Sequence, residues 1–556
     1  MTGPIFDTHA HYSARAFDAD RFALLDSLPE KGVVGVCEQA THSGDAPRVL
    51  ETREVEQYVE YYAQAVRRAK EAGFDACELH CAHGYLICAF MSPLTNQRSD
   101  RYGGGFHARM RFVTEIIGRA RQLVGEDYPI TCRIVGDELR EGGIDMELSV
   151  RIARYLESLG VAALSVSAGM YPYVRTVSNM YHKHGVNLYL AENVREAVRI
   201  PVMAAGQIDR PEIQLHALES GKADILCIGR TLIADPDYPD KLREGRLDDI
   251  IHCIACNKGC HDRSAEDRQV KCALNVRTGR ETLDAFAIRP AREARRIMVI
   301  GSGMEAARVA ALRGHRVELW DDRPRLGGRL RLAAVPPHKA RYGEACDYLE
   351  REIRKLGVDI HLNAAVTEAE LDGRKPDAVI LATGSVPFVP PIQGLSGGGA
   401  VLVDDVLEGR APVGRRVGII GGGAIGAETA HLLVEEEDRE VYLIEMRDGI
   451  AVDLPQDARI CLLHAFGQTP SLHQITNAKV TAVTPESITL ERQGQTEVVD
   501  RLDTIILAVG ARANQGLRPA LEARGIPFLV SGDATGPKDY VKAIYEGFVA
   551  GNTIAE

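Results

Sequence analysis

No stretch of this 556-residue chain approaches the roughly 18 consecutive apolar residues that a membrane-spanning helix needs. The opening MTGPIFDTHAHY does not read as a secretory leader either. Positive charge is not in excess: 66 basic residues stand against 78 acidic ones, a net charge of −12, which argues against a surface made for nucleic acid or anionic lipid. Twelve cysteines over this length are too sparse for a disulfide scaffold, so a reduced, cytoplasmic protein is expected. Low-complexity tracts and short internal repeats are missing as well. What is present is ample apolar content, 45%, enough for about two to four domains with real cores. The sequence is silent on oligomeric state.

Between residues 75 and 228, short β-branched runs alternate with amphipathic helical stretches. Strands are expected at 76–80, 130–134, 163–167, 201–205 and 224–228, with helices at 55–72, 106–123, 148–159 and 190–197. Upstream, 33–39 and 5–8 read as two further strands. Such alternation means parallel β/α units and an α/β fold, a barrel or a doubly wound sheet. Seven strands are legible where a closed (β/α)8 barrel has eight. Later, strand–glycine turn–helix–strand patterns occur at 295–321 and again at 417–445, and 501–556 returns to strand, loop and helix. One nucleotide domain inserted into another explains that order. The expected limits are 1–250 for the barrel, 251–294 for a cysteine module, 295–412 with 501–556 for one nucleotide domain, and 413–500 for the other.

Four cysteines carry the strongest local signal. Cys253, Cys256, Cys260 and Cys272 follow the spacing C-x2-C-x3-C-x11-C, which brings three thiolates from one loop and one from a later anchor to a common centre. The same ligands can hold a structural zinc. Beside two dinucleotide turns, an iron–sulfur cluster is the better expectation.

Gly421, Gly423 and Gly426 form G-x-G-x-x-G after an apolar strand and before a helix, the pattern that cradles a dinucleotide pyrophosphate. Glu445 lies 19 residues beyond Gly426, where an acid accepts from a ribose diol and repels a 2′-phosphate, favouring NADH over NADPH. Gly301 and Gly303 begin a poorer match, G-x-G-x-x-A, whose following strand ends in Asp321. With Thr383 and Gly384 after another apolar strand, and Asp533 near the end, they favour FAD. In the barrel segment, His80, His83 and Tyr85 sit at a strand end, where barrel active sites form. Two imidazoles can polarise one carbonyl oxygen while the phenol supplies a proton; buried capping of the strand is the structural alternative. Loop 170–189, with Tyr171, Tyr173, Tyr181, His182 and His184, is expected to set specificity. A minor alternative is the run Asp7, His9, His11, whose D-x-H-x-H pattern resembles the opening of TatD-type metal-dependent hydrolases.

The stretches HCAHGYLICAFMSPLTNQRSDRYGG, IGRTLIADPDYPDK, CIACNKGC with KCALN, and GGGAIGAETA together resemble the 2,4-dienoyl-CoA reductase and trimethylamine dehydrogenase branch of the old yellow enzymes. The likeness runs from about residue 39 onward. It implies a (β/α)8 TIM-like barrel that binds FMN, a 4Fe–4S module, and nested Rossmann-like domains for FAD and NAD(P)H. By the same resemblance Gln39 and Arg133 lie near the isoalloxazine, and Gly206, Gly229 and Arg230 hold its phosphate. His80 and His83 match the carbonyl-binding pair and Tyr85 the proton donor. The implied activity is NADH-dependent reduction of the C=C bond of a small unsaturated carbonyl or enoyl substrate, electrons passing through FAD, the cluster and FMN. Amine dehydrogenation or oxidative N-demethylation is the family's other chemistry, less expected because that branch has tyrosine at His80. A non-catalytic relative with impaired FMN binding is the third reading, prompted by an unrecognisable first barrel strand and a shortened first glycine turn.

Overall fold

The computed structural model describes residues 5–10, 33–38, 49–171, 175–265, 268–395, 398–436 and 439–556, the first two segments as backbone only. The chain divides into two units, one of residues 1–178 with 183–228, the other of 179–182 with 229–556.

In the first unit, strands β3 (Cys77–Cys81), β4 (Ile130–Val135), β5 (Leu164–Ser167), β6 (Val202–Ala205) and β7 (Ile225–Cys227) form one parallel sheet in chain order. β1 (Ile5–Ala10) and β2 (Val33–Glu38) pair in parallel as a separate ladder. Each of the seven expected strands is therefore present. Among the described residues no ladder joins β2 to β3 or β7 to β1. All four residues of β5 are buried, as a parallel strand covered on both faces requires.

Helices cover this sheet for reasons visible in their spacing. Thr52–Glu71 buries Val55, Val59, Ala63 and Val66, one face at helical period, and a capping box links Glu51 and Glu54 at its start. It packs on Phe106–Val124, which buries Phe112, Val113, Ile116, Ile117 and Ala120. In Met146–Ser158, the Asp145 carboxylate caps the start by accepting from the Leu148 N–H at 2.8 Å. Burying each such valine or isoleucine contributes roughly 1.5–3 kcal/mol.

The second unit holds two parallel five-stranded sheets. In the first, β8 (Arg296–Ile300) lies between β9 (Arg316–Trp320) and β11 (Ala378–Leu381); β10 (Asp359–His361) flanks β9, and Phe528–Val530 flanks β11. The other is ordered Val401–Leu402, Thr504–Leu507, Arg416–Ile420, Glu440–Ile444, Leu472–Ile475. All its strands fall, in sequence, between β11 and the Phe528–Val530 strand that pairs with it. One nucleotide-type sheet is thus inserted into another. A three-stranded antiparallel sheet, Ala478–Thr484, Ser487–Arg492 and Gln495–Val499, accompanies the inserted one.

Candidate active site and cofactor turns

At the C-terminal end of β3 the chain turns sharply through His83 (φ 61°) and Gly84 (φ 79°), which folds His80, His83 and Tyr85 back upon one another. The His80 and His83 rings are 5.4 Å apart, and His80 and Tyr85 4.8 Å. Tyr171, from the loop after β5, closes the group at 6.1 Å from His83 and 5.8 Å from Tyr85. His83 Nε2 lies 2.7 Å from Ser167 Oγ at the end of β5. Arg133, on β4, donates to Ser165 Oγ at 3.0 Å and Ser167 Oγ at 3.2 Å. Ser167 therefore joins the imidazole to the guanidinium.

The electrostatics follow from burial. Desolvation, then the charges of Arg133 and His80, bring the His83 imidazole down to about 3, so the ring is neutral and keeps one N–H to donate. Burial, with Tyr171 beside it, lifts the Tyr85 phenol well above its ordinary value and keeps its proton in place. A neutral imidazole and a protonated phenol can donate to a carbonyl and to a developing carbanion.

Gly206, just past β6, has φ 121°, and an added Cβ would stand 2.5 Å from Asn187 Nδ2. Asn187 in turn accepts from Arg175 at 3.1 Å. A guanidinium fixed on β4 suits an anionic flavin at this strand-end mouth, while the Asn187 side chain covers the Gly206 backbone on its Cβ side. Gly229 and Arg230 belong to the second unit, in Gly229–Ala234, and Arg230 donates to Asn257 Oδ1 at 2.6 Å. Gln39, His11 and Tyr173 lie outside the described residues, as do the side chains of Asp7 and His9.

The cysteine loop owes its shape to two left-handed residues, Ala255 (φ 50°) and Asn257 (φ 58°), on either side of Cys256. Gly259 brings it against the later anchor: the Lys271 N–H donates to the Gly259 carbonyl at 2.7 Å, and a Cβ at Gly259 would stand 2.7 Å from the Lys271 carbonyl oxygen. Burial raises the Cys260 thiol to about 11 and the Cys272 thiol to about 12; backbone N–H groups of Asn275 and Leu274 counter this at Cys272. Thiolates around one tetrahedral zinc stand about 3.8 Å apart. Among the described residues, the groups of three or more ligand atoms lying within 4.8 Å of one another do not include these cysteines. No three of these half-buried thiols lie within 4.8 Å of one another, and backbone N–H groups face Cys253 and Cys272, a setting that suits a multi-iron cluster.

In the first nucleotide sheet, Gly301 (φ 93°) ends β8 and Gly303 caps helix Met304–Leu312. Met304, bulky for this position, is accommodated by burial in the core beneath. The Asp321 carboxylate, after β9, accepts from Ser302 Oγ and, at 2.9 Å, from the Arg323 N–H. Thr383 Oγ1 donates to the Asn514 carbonyl, Gly384 is left-handed (φ 67°), and Ser385 Oγ donates to Asp533 Oδ2 at 3.3 Å. These residues converge on the ends of β8 and β11, as a flavin dinucleotide turn requires.

In the inserted sheet, Gly421 (φ 107°) follows Arg416–Ile420, and a Cβ at Gly426 would collide with the Gly421 carbonyl oxygen. Gly423 has open space beside it, with nothing nearer to a Cβ than Asp453 Oδ2 at 3.6 Å. Glu445 accepts from the Gly422 and Arg447 N–H groups, each at 2.8 Å. Burial works against its charge, yet those bonds and the Arg447 guanidinium hold its carboxyl below the usual range. A residue not foreseen stands at the helix start: the exposed Asp453 accepts from the Ala424 N–H at 2.8 Å. Ser167, Asn187 and Arg175 were missed as well. Their only sequence signal was polar residues at strand ends and in the 170–189 loop.

A parallel-stranded barrel segment with an acid–base cluster at its strand ends, followed by a cysteine loop and two nested dinucleotide turns, defines a flavin-dependent pyridine-nucleotide oxidoreductase. Residues 18–249 match the NADH:flavin oxidoreductase / NADH oxidase family, and residues 374–532 the pyridine nucleotide-disulphide oxidoreductase family. NADH oxidase of Thermoanaerobacter brockii is 38% identical over 91% of this chain and 79% of its own length. Cinnamate reductase of Clostridium sporogenes is 30% identical over 91% and 78%. A solved structure of 2-naphthoyl-CoA reductase with 2-naphthoyl-CoA superposes with TM-score 0.88 at 27% identity, covering 99% of this chain and 92% of that one. The chain belongs to the NADH:flavin oxidoreductase / NADH oxidase family. It is a flavin-dependent reductase drawing on NADH, with a TIM-like barrel and nested Rossmann-like domains. No described helix is long and apolar enough to cross a membrane.

Proposed function

We propose that the protein reduces the C=C bond of a small α,β-unsaturated carbonyl or enoyl compound at the end of β3, in a cytoplasmic setting. The carrying observation is the convergence of neutral His83, His80 and protonated Tyr85, with Ser167 fixing His83. A flavin mononucleotide bound at this mouth would supply hydride chemistry, and NADH, FAD and a 4Fe–4S cluster held by the later segments would supply its electrons. His80 and His83 donate to the substrate carbonyl, drawing electrons toward oxygen so that the β-carbon accepts the pair. Tyr85 gives its proton to the α-carbon, completing addition of two electrons and two protons' equivalent as hydride and proton. Ser167 and Arg133 hold His83 in one orientation, and the Tyr171 ring packs beside those of His83 and Tyr85.

The other roles in this proposal follow the turns. Arg133, Gly206, Gly229, Arg230 and Gln39 serve FMN; Gly301, Gly303, Asp321, Thr383, Gly384 and Asp533 serve FAD; Gly421, Gly423, Gly426 and Glu445 serve NADH; the four cysteines ligate the cluster. The segment limits 1–250, 251–294, 295–412 with 501–556, and 413–500 belong to the same reading.

Anaerobic NADH-driven turnover of cinnamate-type enoates, set beside oxidation of methylated amines, tests it. Enoate reduction should dominate, and Tyr85→Phe should lower its kcat by about 10²-fold or more with flavin content unchanged. Oxidation of dimethylated amines without enoate reduction would replace this reading with the amine one.

A further inference from the structure

Away from these turns, three metal-ligating side chains of the second unit meet without a role in the reaction. His431 and Glu435 stand one turn apart on helix Ala424–Glu436, His431 Nε2 3.3 Å from Glu435 Oε1. His338 Nε2 lies 3.9 Å from the same oxygen, and one ligand atom from each of the three falls within 4.8 Å of the others. We propose that His338, His431 and Glu435 bind one divalent transition-metal ion of the zinc type. A tetrahedral zinc with nitrogen and oxygen bonds near 2.0–2.1 Å sets its ligand atoms about 3.4 Å apart; the His431–Glu435 edge matches at 3.3 Å, and His338 closes in from 3.9 Å on the glutamate and from within 4.8 Å on His431.

The surroundings are arranged for such a cation. His338 follows Pro336 and Pro337 and is left-handed (φ 66°), with the Lys339 N–H donating to the Pro336 carbonyl at 3.2 Å, so its turn is fixed before any ion arrives. His431 is 4% exposed, while His338 and Glu435 are exposed, which leaves an open position for water or an entering ligand. The neighbouring Lys339 ammonium is paired with Glu428 at 2.6 Å, which weakens its repulsion of a cation at this site. The Tyr181 ring lies 5.1 Å from His338 and 6.3 Å from His431, packing both imidazoles from one side. An ion held here ties the 336–339 turn to the helix that opens on the 421–426 dinucleotide turn.

The test uses holoenzyme with flavins and iron in place, dialysed against zinc, with zinc and iron counted together. The expected result is one zinc per chain with iron unchanged. His338→Ala and Glu435→Gln, both at exposed positions, should each weaken zinc binding by about tenfold or more. Zinc should raise the melting temperature of the parent protein and leave that of either variant where it was. Equal zinc affinity in parent and variants, or zinc taken up only in exchange for iron, overturns the proposal.

Discussion

Single residues decide how each half of the reaction is prepared. The Asp453 carboxylate accepts from the Ala424 N–H, the place where a dinucleotide pyrophosphate meets its helix. It must leave when NADH binds, and its charge opposes that of the incoming phosphates. Asp453→Asn should therefore lower the KM for NADH by up to about fivefold, the range for an exposed charged contact, with kcat for enoate little changed; initial-rate kinetics will show it. His83 gives a pH prediction. Its imidazole falls from 6.5 to about 3 on folding, because burial, Arg133 and His80 all penalise the cation. The unfolded chain then binds a proton that the native one refuses, so stability rises with pH across that window. The contribution is complete above 6.5 and shrinks as pH falls toward 3. The gap in urea midpoint between pH 7 and pH 5 should be smaller in His83→Gln than in the parent protein. The Ser167 contact that orients this ring could not be read in advance, since the partners are 84 residues apart and meet only when β3 and β5 enter one sheet.

Elements were far more legible than contacts. The buried parallel strands announce themselves as short β-branched runs, and β3 to β7 begin and end within a residue or so of expectation. The helix over Thr52–Glu71 starts three residues earlier than its apolar period indicates, because the Glu51–Glu54 capping box extends it upstream. The antiparallel sheet of 478–499 is not legible as a separate layer: its first two strands largely alternate in exposure and its third is exposed up to Val499, a pattern that says little about which sheet they join. The cysteine loop was legible as a ligand set but not as a shape. Its left-handed Ala255 and Asn257 carry no glycine signature, and only Gly259 hinted at the close passage against Lys271. At that passage, Gly259→Ala would drive a Cβ to 2.7 Å from a backbone oxygen and part Cys260 from Cys272. Iron per chain should fall by at least about half, while FAD bound at the nucleotide turn persists; metal and flavin analysis of the purified variant decides this.

At the scale of the whole molecule, the redox segments lie along the chain in the order barrel, cysteine loop, outer nucleotide sheet, inserted nucleotide sheet. That order was readable because each segment has its own motif. Cys256→Ala should strip iron and abolish NADH-driven enoate reduction, yet leave NADH-driven reduction of an artificial dye at the nucleotide domains largely intact. Loss of both activities together would mean that the cysteine loop is a fold staple first.

The insertion also constrains how the polypeptide acquires its shape during synthesis. β11 leaves the ribosome about 150 residues before Phe528–Val530, the neighbour it needs on one side, and every strand of the guest sheet emerges in between. The guest can fold first and draw the two ends of its host together, shortening the loop that the late strand must close. A slow-folding guest would leave the edge of β11 bare for that whole interval, so maturation of the flavin-type host is timed by the module it carries.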